Sequence, residues 1–304
     1  MGDSTFLAVC LNPTLQKTLR FSSITKDHVN RTANHRLDAS GKGINVARVL
    51  GQLGKRALHL TQLGGSLQPL FLQLCEEDNL SIRWAESHSP IRFCYTLIDG
   101  SDRSVTELVE EALPVDPMTE GRILDLFEQS LPERGTLTIS GTKANGFSDM
   151  IFPTMTKMAK ERGLRVILDI RGKDLTESLP FEPDLIKPNL AEFLSTYIPN
   201  PPQEPNRLKE AVIQVAQDLE RRYHCRLVLT RGAKAVWVVS GGEFRELEFP
   251  SVPPVNTTGS GDAFTAGLAS ALDDGRDLYD AVAEGARCGR LNAQYLKPGT
   301  IVDN

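Results

Sequence analysis

Short apolar runs alternate with longer stretches in which apolar residues recur every three or four positions. The runs are Thr5–Leu11, Leu58–Thr61, Leu137–Ser140, Arg165–Asp169, Asp184–Ile186 and Arg226–Thr230. Each is brief and mostly apolar throughout, the pattern of a strand covered on both faces of a parallel sheet. Between them the spacing predicts helices at Gly43–Gln52, Gln68–Asp78, Pro117–Gln129, Ser148–Arg162 and Arg207–Arg221. That alternation predicts an α/β fold: a doubly wound, mostly parallel sheet with helices on both faces. The C-terminal third departs from it. Ala235–Val239 and Phe244–Phe249 read as an antiparallel pair around Ser240-Gly241-Gly242, and helices follow at about Asp262–Asp273 and Asp277–Tyr295.

Two segments break the rhythm. Lys17–Asp38 is polar, with apolar positions at Leu19, Phe21 and Ile24. Ile91–Leu108 sets Phe93, Tyr95 and Leu97 on one face and Arg92, Cys94 and Thr96 on the other. Such alternation predicts sheet with one solvated face, read here as a small β-lid over the strand ends. The proline-rich stretch Ile198–Pro205 reads as a surface loop, leaving a single domain over 1–304.

Composition narrows the function classes. Lys and Arg number 34 against 39 Asp and Glu, a net charge of −5 with no basic tract, which disfavours a general nucleic-acid partner. No apolar stretch approaches the roughly 18 residues that span a bilayer. The N-terminus lacks a positive region before its apolar run, and Asn12-Pro13 closes that run early, so it reads as a strand and not a signal peptide. The five cysteines are scattered without a C-x-x-C pair, so reduced thiols in a cytoplasmic protein are expected. A P-loop is absent, Gly41-Lys42-Gly43 lacks the third glycine of a dinucleotide fingerprint, and the protein-kinase signatures do not occur. The five histidines form no H-x-x-x-H pair and read as surface or loop residues.

Two motifs carry chemistry. In Asn256-Thr-Thr-Gly259-Ser260-Gly261-Asp262-Ala-Phe-Thr-Ala-Gly267, glycines and small hydroxyl residues open a helix. Convergent backbone N–H groups and a helix N-terminus make a site for a phosphoryl group. Asp262 in the first turn can deprotonate a hydroxyl as it attacks phosphorus, or can simply cap the helix. The length of the G-S-G-D run, with small residues after it, favours the first reading. In Ala39-Ser40-Gly41-Lys42-Gly43-Ile-Asn45-Val-Ala-Arg48, Lys42 can meet a substrate phosphate and Asn45 a sugar hydroxyl; the bland alternative is a glycine-rich helix start with a solvated lysine.

These two motifs resemble the signature regions of the PfkB (ribokinase-like) carbohydrate kinases. Leu11-Asn12-Pro13-Thr14, Thr106-Glu107-Leu108 and Lys187-Pro188-Asn189-Leu-Ala-Glu192 look like the branch that holds 1-phosphofructokinase and tagatose-6-phosphate kinase. The resemblance runs from about Ala8 to Ile301. It implies an ATP-dependent kinase with Lys17–Asp38 and Ile91–Leu108 as lid and Asp262 as base. Gly259, Ser260 and Gly261 then form the anion hole. Asn189 and Glu192 match a motif that helps hold Mg²⁺, mainly through water, near the nucleotide phosphates. The same pair reads equally as a helix N-cap and capping box, and both roles can coexist. Lys187, Thr230 and Gly232 match the nucleotide side, and Asn292 lies where a late helix borders the adenine. Gln16, Gly41, Lys42, Asn45, Arg92 and Ser140 fall on the sugar side. Arg92 matches an arginine that grips the sugar phosphate, with Arg31 and Lys143 as further candidates.

The sequence also departs from the family. Gln16 stands where the family's opening has Asp, Ser40 precedes Gly41 where a glycine is usual, and Arg171 and Lys143 interrupt two glycine-containing loops. An amide accepts at one oxygen and donates at nitrogen, unlike a carboxylate. The phosphoryl-transfer motif is intact. The expectation is a Mg-ATP-dependent kinase of a phosphorylated hexose, dimeric through its lid. A kinase of an unphosphorylated sugar or nucleoside, and a non-catalytic sugar-phosphate or nucleotide sensor, are the rivals.

Overall fold

The computed structural model describes residues 5–302. Among them a large sheet runs in the order β13-β12-β11-β10-β9-β8-β1-β4-β5. Its strands are β1 (Thr5–Val9), β4 (Arg56–Leu63), β5 (Ser81–Glu86), β8 (Gly135–Ser140), β9 (Arg165–Asp169), β10 (Leu185–Ile186), β11 (Arg226–Arg231), β12 (Lys234–Ser240) and β13 (Glu243–Leu247). All neighbours pair in parallel except β11 with β12 and β12 with β13. The reason lies in β1. Phe6 and Ala8 point into one core cluster, and Leu7 and Val9 into another, so both faces are covered.

One face carries α1 (Lys42–Gln52), α8 (Ser260–Asp273) and α9 (Leu278–Asn292); the other carries α3 (Thr119–Ser130), α4 (Ile151–Glu161), α6 (Leu190–Tyr197) and α7 (Pro205–Tyr223). α2 (Gln68–Glu77) covers a third cluster under the small sheet, and α5 (Gly172–Ser178) links β9 to a 3₁₀ turn. α8 and α9 pack through glycine. A Cβ on Gly267 would lie 2.7 Å from Cys288 Sγ, and one on Gly285 would lie 2.8 Å from the Phe264 carbonyl. The small residues after Asp262 therefore serve helix packing.

The small sheet has the order β3-β2-β6-β7, built from β2 (Thr14–Phe21), β3 (His35–Ser40), β6 (Arg92–Asp99) and β7 (Val105–Val109). Its first strand starts ahead of the expected Lys17. Thr14, Gln16 and Thr18 are polar yet buried, which hides the strand from a reading based on apolar positions. Register puts Gln16 opposite Asp38 on one side and Cys94 on the other. Side chains of one face thus include Thr14, Gln16 and Thr18 with Arg36, Asp38, Arg92 and Thr96.

The structure also corrects three readings. β5, α5 and α6 are short elements that the apolar pattern did not announce. His59 is no surface residue: it is buried in β4, with its Nδ1 3.0 Å from the Ala8 carbonyl. Burial, with Arg48 nearby, pushes it down to about 4 despite that bond. The last long helix ends at Asn292, short of Tyr295.

Candidate active site

In an open α/β sheet, ligands bind beyond the C-terminal strand ends where the strand order reverses. Here that point is β1, which has β4 on one side and β8 on the other. The parallel ends deliver Asn12 after β1, Ser140 and Gly141 at β8, Asp169 at β9, Lys187 after β10 and Thr230 at β11.

Two glycine-opened helices aim at this edge. Gly41 caps α1 at φ 125° and Gly259 caps α8 at φ 82°, conformations that L side chains rarely adopt. α1 presents Lys42 and Asn45, and α8 presents Asp262. Asn45 Nδ2 donates to Asp262 Oδ2 at 2.8 Å. Lys42 Nζ lies 3.3 Å from Glu192 Oε1 and 3.6 Å from Asp169 Oδ1. Lys187 Nζ sits 3.3 Å from Asp169 Oδ2, which also accepts from Thr265 Oγ1 at 3.2 Å. Gly141 turns the chain at φ 89° beside the Lys42 side chain.

Electrostatics separates the acids. Burial pushes Asp262 up to about 7, against the pull of Lys42 and the Asn45 hydrogen bond. Burial acts on Asp169 in the same direction, yet Lys187 and Lys42 outweigh it and hold that carboxyl below its usual range. Burial also opposes the Lys42 charge, and Asp169, Glu192 and Asp262 together overcome it. The site thus pairs an ionised Asp169 with an acid poised near neutrality, the pattern expected of a proton acceptor.

Around Gly259 the chain is braced from several sides. Asn256 Oδ1 accepts from Thr258 N at 3.1 Å. Thr258 Oγ1 donates to Glu107 Oε1 at 2.8 Å and lies 3.4 Å from Thr96 Oγ1. Gln16 Nε2 donates to Thr96 Oγ1 at 2.8 Å. The small sheet therefore rests on the glycine loop. Gly261 is exposed, and a Cβ there would meet nothing within 4 Å.

The remaining sequence-derived candidates fall in different places. Asn189 forms a full capping box with Glu192, each side chain bonding the other's backbone N–H at 2.9 Å, and bridges to Thr230 in parallel fashion. Gly232 turns the chain between β11 and β12 at φ 64°. Ser140 Oγ is buried without a partner. Arg92 Nη1 donates to the Glu110 carbonyl at 2.9 Å and Nη2 to the Asn12 carbonyl at 3.4 Å, leaving Nε unpartnered. Arg31 and Arg171 are exposed, and Lys143 is engaged by Asp174 and Asp149.

Asn292 is not free to border a ligand. It is fully buried. Its Nδ2 donates to the Thr258 carbonyl and Ser260 Oγ, while its Oδ1 accepts from Gly299 N and Thr300 N. It clamps the glycine loop to the C-terminal segment. Asp169 and Arg48 are the residues that sequence reasoning missed; a carboxylate at a parallel strand end was the available signal for the first.

Among the described residues no group of three His, Cys, Asp or Glu side chains could cage a metal. Glu192 and Asn189 offer oxygens already shared with Lys42 and the capping box. That donor set fits Mg²⁺ held mainly through waters and phosphates, which needs few protein oxygens.

Residues 9–304 match the family described as pfkB carbohydrate kinases. The chain is similar in structure to phosphofructokinase-2 from Escherichia coli in complex with potassium: TM-score 0.84, 21% identity, covering 97% of this chain and 94% of that one. A tetrameric inhibited form of that enzyme matches at TM-score 0.83 and 21% identity, over 96% and 94%. A Thermotoga maritima protein described as a possible 1-phosphofructokinase matches at TM-score 0.85 and 18% identity, over 96% and 93%.

Proposed function

The chain belongs to the pfkB family of carbohydrate kinases, and on that footing we propose that it transfers the terminal phosphoryl group of ATP to a hydroxyl of a phosphorylated hexose. One observation carries the proposal: a buried carboxyl, Asp262, in the first turn of a glycine-opened helix, hydrogen-bonded to Asn45 and near Lys42.

Asp262 takes the proton of the acceptor hydroxyl as its oxygen bonds to phosphorus and the bond to the departing ADP oxygen breaks. The N–H groups of Gly259 and Gly261 at the helix start bind the equatorial oxygens, and Ser260 N–H, which donates to the Thr257 carbonyl at 3.1 Å in this structure, joins them when that turn opens. Lys42, expected on the sugar side, pairs with Asp169 and Glu192, and we place it with Lys187 to offset phosphate charge on the nucleotide side, where Asn189 and Thr230 lie together. Bound Mg²⁺ supplies further charge neutralisation; Glu192 and Asn189 would hold its waters. The polar inner face of the small sheet, with Gln16 and Arg92, closes over the sugar and excludes water. Arg92, half-buried at the start of β6 on that face, is the proposed partner of the substrate phosphate.

The small sheet leaves Leu108 52% exposed. A second copy pairing there would cover such an edge, and a homodimer is the assembly we propose. The five buried, unpaired thiols support a reducing cytoplasmic setting. No helix among the described residues is long and apolar enough to cross a membrane.

The test is coupled ADP release over a panel of hexose phosphates and free sugars. Activity on a hexose phosphate, with Arg92→Ala raising KM sharply for it, is the expected result. One observation favours a second reading, an unphosphorylated acceptor: Lys143 and two of the three Arg92 nitrogens are already engaged within the protein. Turnover on free sugars with KM unmoved by Arg92→Ala would establish that reading. Silence across the panel despite ATP binding would favour a sensor.

A further inference from the structure

Asn45 faces Asp262 with a defined end. Its Oδ1 accepts from Arg48 Nη1 at 2.9 Å and from Ser40 Oγ at 3.2 Å, so Nδ2 is the atom turned to the carboxylate. The opposite orientation would set an acceptor against an acceptor. Among the described residues, this amide is the one side-chain donor hydrogen-bonded to Asp262.

Arg48 is buried and committed at every nitrogen. Nη2 donates to the Ala39 carbonyl at 2.6 Å, Nη1 also reaches the Pro298 carbonyl at 3.0 Å, and Nε pairs with Asp78 Oδ2 at 2.9 Å. The second oxygen of Asp78 holds Lys297. A guanidinium fork fixed by a carboxylate and two carbonyls holds its second Nη1 hydrogen aimed at Asn45 Oδ1. A surface helix would place Arg48 in solvent; here its position three residues after Asn45 sets both on one side of α1.

We propose that Arg48 is a positioning residue for phosphoryl transfer: anchored by Asp78, it locks the Asn45 amide so that Asn45 holds Asp262 toward the acceptor hydroxyl. The proposal rests on Asp262 being the base. The other charged groups facing Asp262 are Lys42 from α1, Asp169 from the end of β9 and Lys187 after β10. None of them contacts the far side of the Asn45 amide, so none substitutes for Arg48.

The test is a double-mutant cycle of Arg48→Lys and Asn45→Ala, read by kcat, by the pH profile of kcat/KM and by Tm. Arg48→Lys alone is expected to lower kcat roughly 10- to 100-fold. It should also move the acidic limb of kcat/KM to higher pH, since Asp262 loses its aligned donor. In the Asn45→Ala background the same change should alter kcat less than about twofold. A fall in Tm with kcat and the limb unmoved, or an equal kcat loss in both backgrounds, would overturn the proposal. Should Arg48→Lys not fold, Ser40→Ala removes the other donor to Asn45 Oδ1; a several-fold kcat loss that disappears in Asn45→Ala is expected, and an equal loss in both overturns it. Asp262→Asn separates the two ideas. Near-normal turnover there refutes the base, whereas a large loss with Arg48→Lys unaffected refutes only the positioning role.

Discussion

The starts of α1 and α8 look alike in sequence and differ in what their glycines do. Both follow a glycine at positive φ, and neither has a side-chain cap. In α1, Gly43 is a packing residue: a Cβ there would lie 2.8 Å from Cys10 Cβ and 2.9 Å from the Val9 carbonyl. In α8, Gly261 is open, with nothing near the missing side chain. The first helix is driven against β1 and delivers long side chains to the site. The second keeps the backbone at Gly261 uncrowded beside one buried acid. The same residue type thus supports close packing in one place and leaves open space in the other.

The largest effect expected concerns the acid that only α8 carries. Asp262→Asn should lower kcat by about 10²- to 10⁴-fold, with ATP affinity by calorimetry largely kept. Turnover near the parent's would remove the distinction between the two helices.

The glycines themselves come next. Gly261→Ala should cut kcat on the order of 10²-fold by crowding the transferred group away from its donors, while Tm holds or rises, since alanine favours a helix by roughly 0.5–1 kcal/mol. Gly43→Ala should instead destabilise by about 1–3 kcal/mol through overpacking, seen as a lower urea midpoint. Equal behaviour of the two variants would break the comparison.

A third check is pH. Only deprotonated Asp262 accepts a proton, so kcat/KM should rise with pH and level off above about 7. Below that value it should fall about tenfold per unit. The residual rate of Asp262→Asn should lack this limb.

The smallest effect is on stability. Folded Asp262 keeps its proton to about 7, whereas an unfolded aspartate releases it near 3.9, roughly the usual value. Between those values the folded state binds more protons, and stability falls as pH rises. Folded His59 stays neutral down to about 4, whereas unfolded histidine protonates near 6.5, roughly its usual value. There the unfolded state binds more protons, and stability rises with pH. The two slopes oppose, so the parent's Tm should change little from about pH 4.5 to 6.5. Asp262→Asn removes one of them: its Tm should climb across that window and exceed the parent's by a few degrees at pH 8. A flat profile in that variant would count against a neutral buried His59, and a Tm no higher than the parent's at pH 8 would count against the buried Asp262 charge.

Much of the fold was legible because its signals are local. Buried parallel strands announce themselves as apolar runs, and the helices as three-to-four spacing. The start of β2, ahead of Lys17, escaped because Thr14 and Gln16 are polar yet buried. His59 escaped because a buried histidine bonded to a carbonyl looks like any other in sequence. Of the site, the glycine loops and Asp262 could be read directly. Asn292 could not, because its position near a ligand-facing motif says nothing of which way its amide turns.

The chain alone determined the parallel sheet, the two glycine-opened helices and the acid beside one of them, since periodicity and backbone freedom are properties of neighbouring residues. Tertiary structure alone decided that Asn45 meets Asp262 across 217 residues of chain, that Asp169 lies between two lysines, and that Arg48 fixes an amide. Those pairings depend on which strand ends and helix starts the fold sets side by side, and on burial that makes each unpaired charge or amide costly.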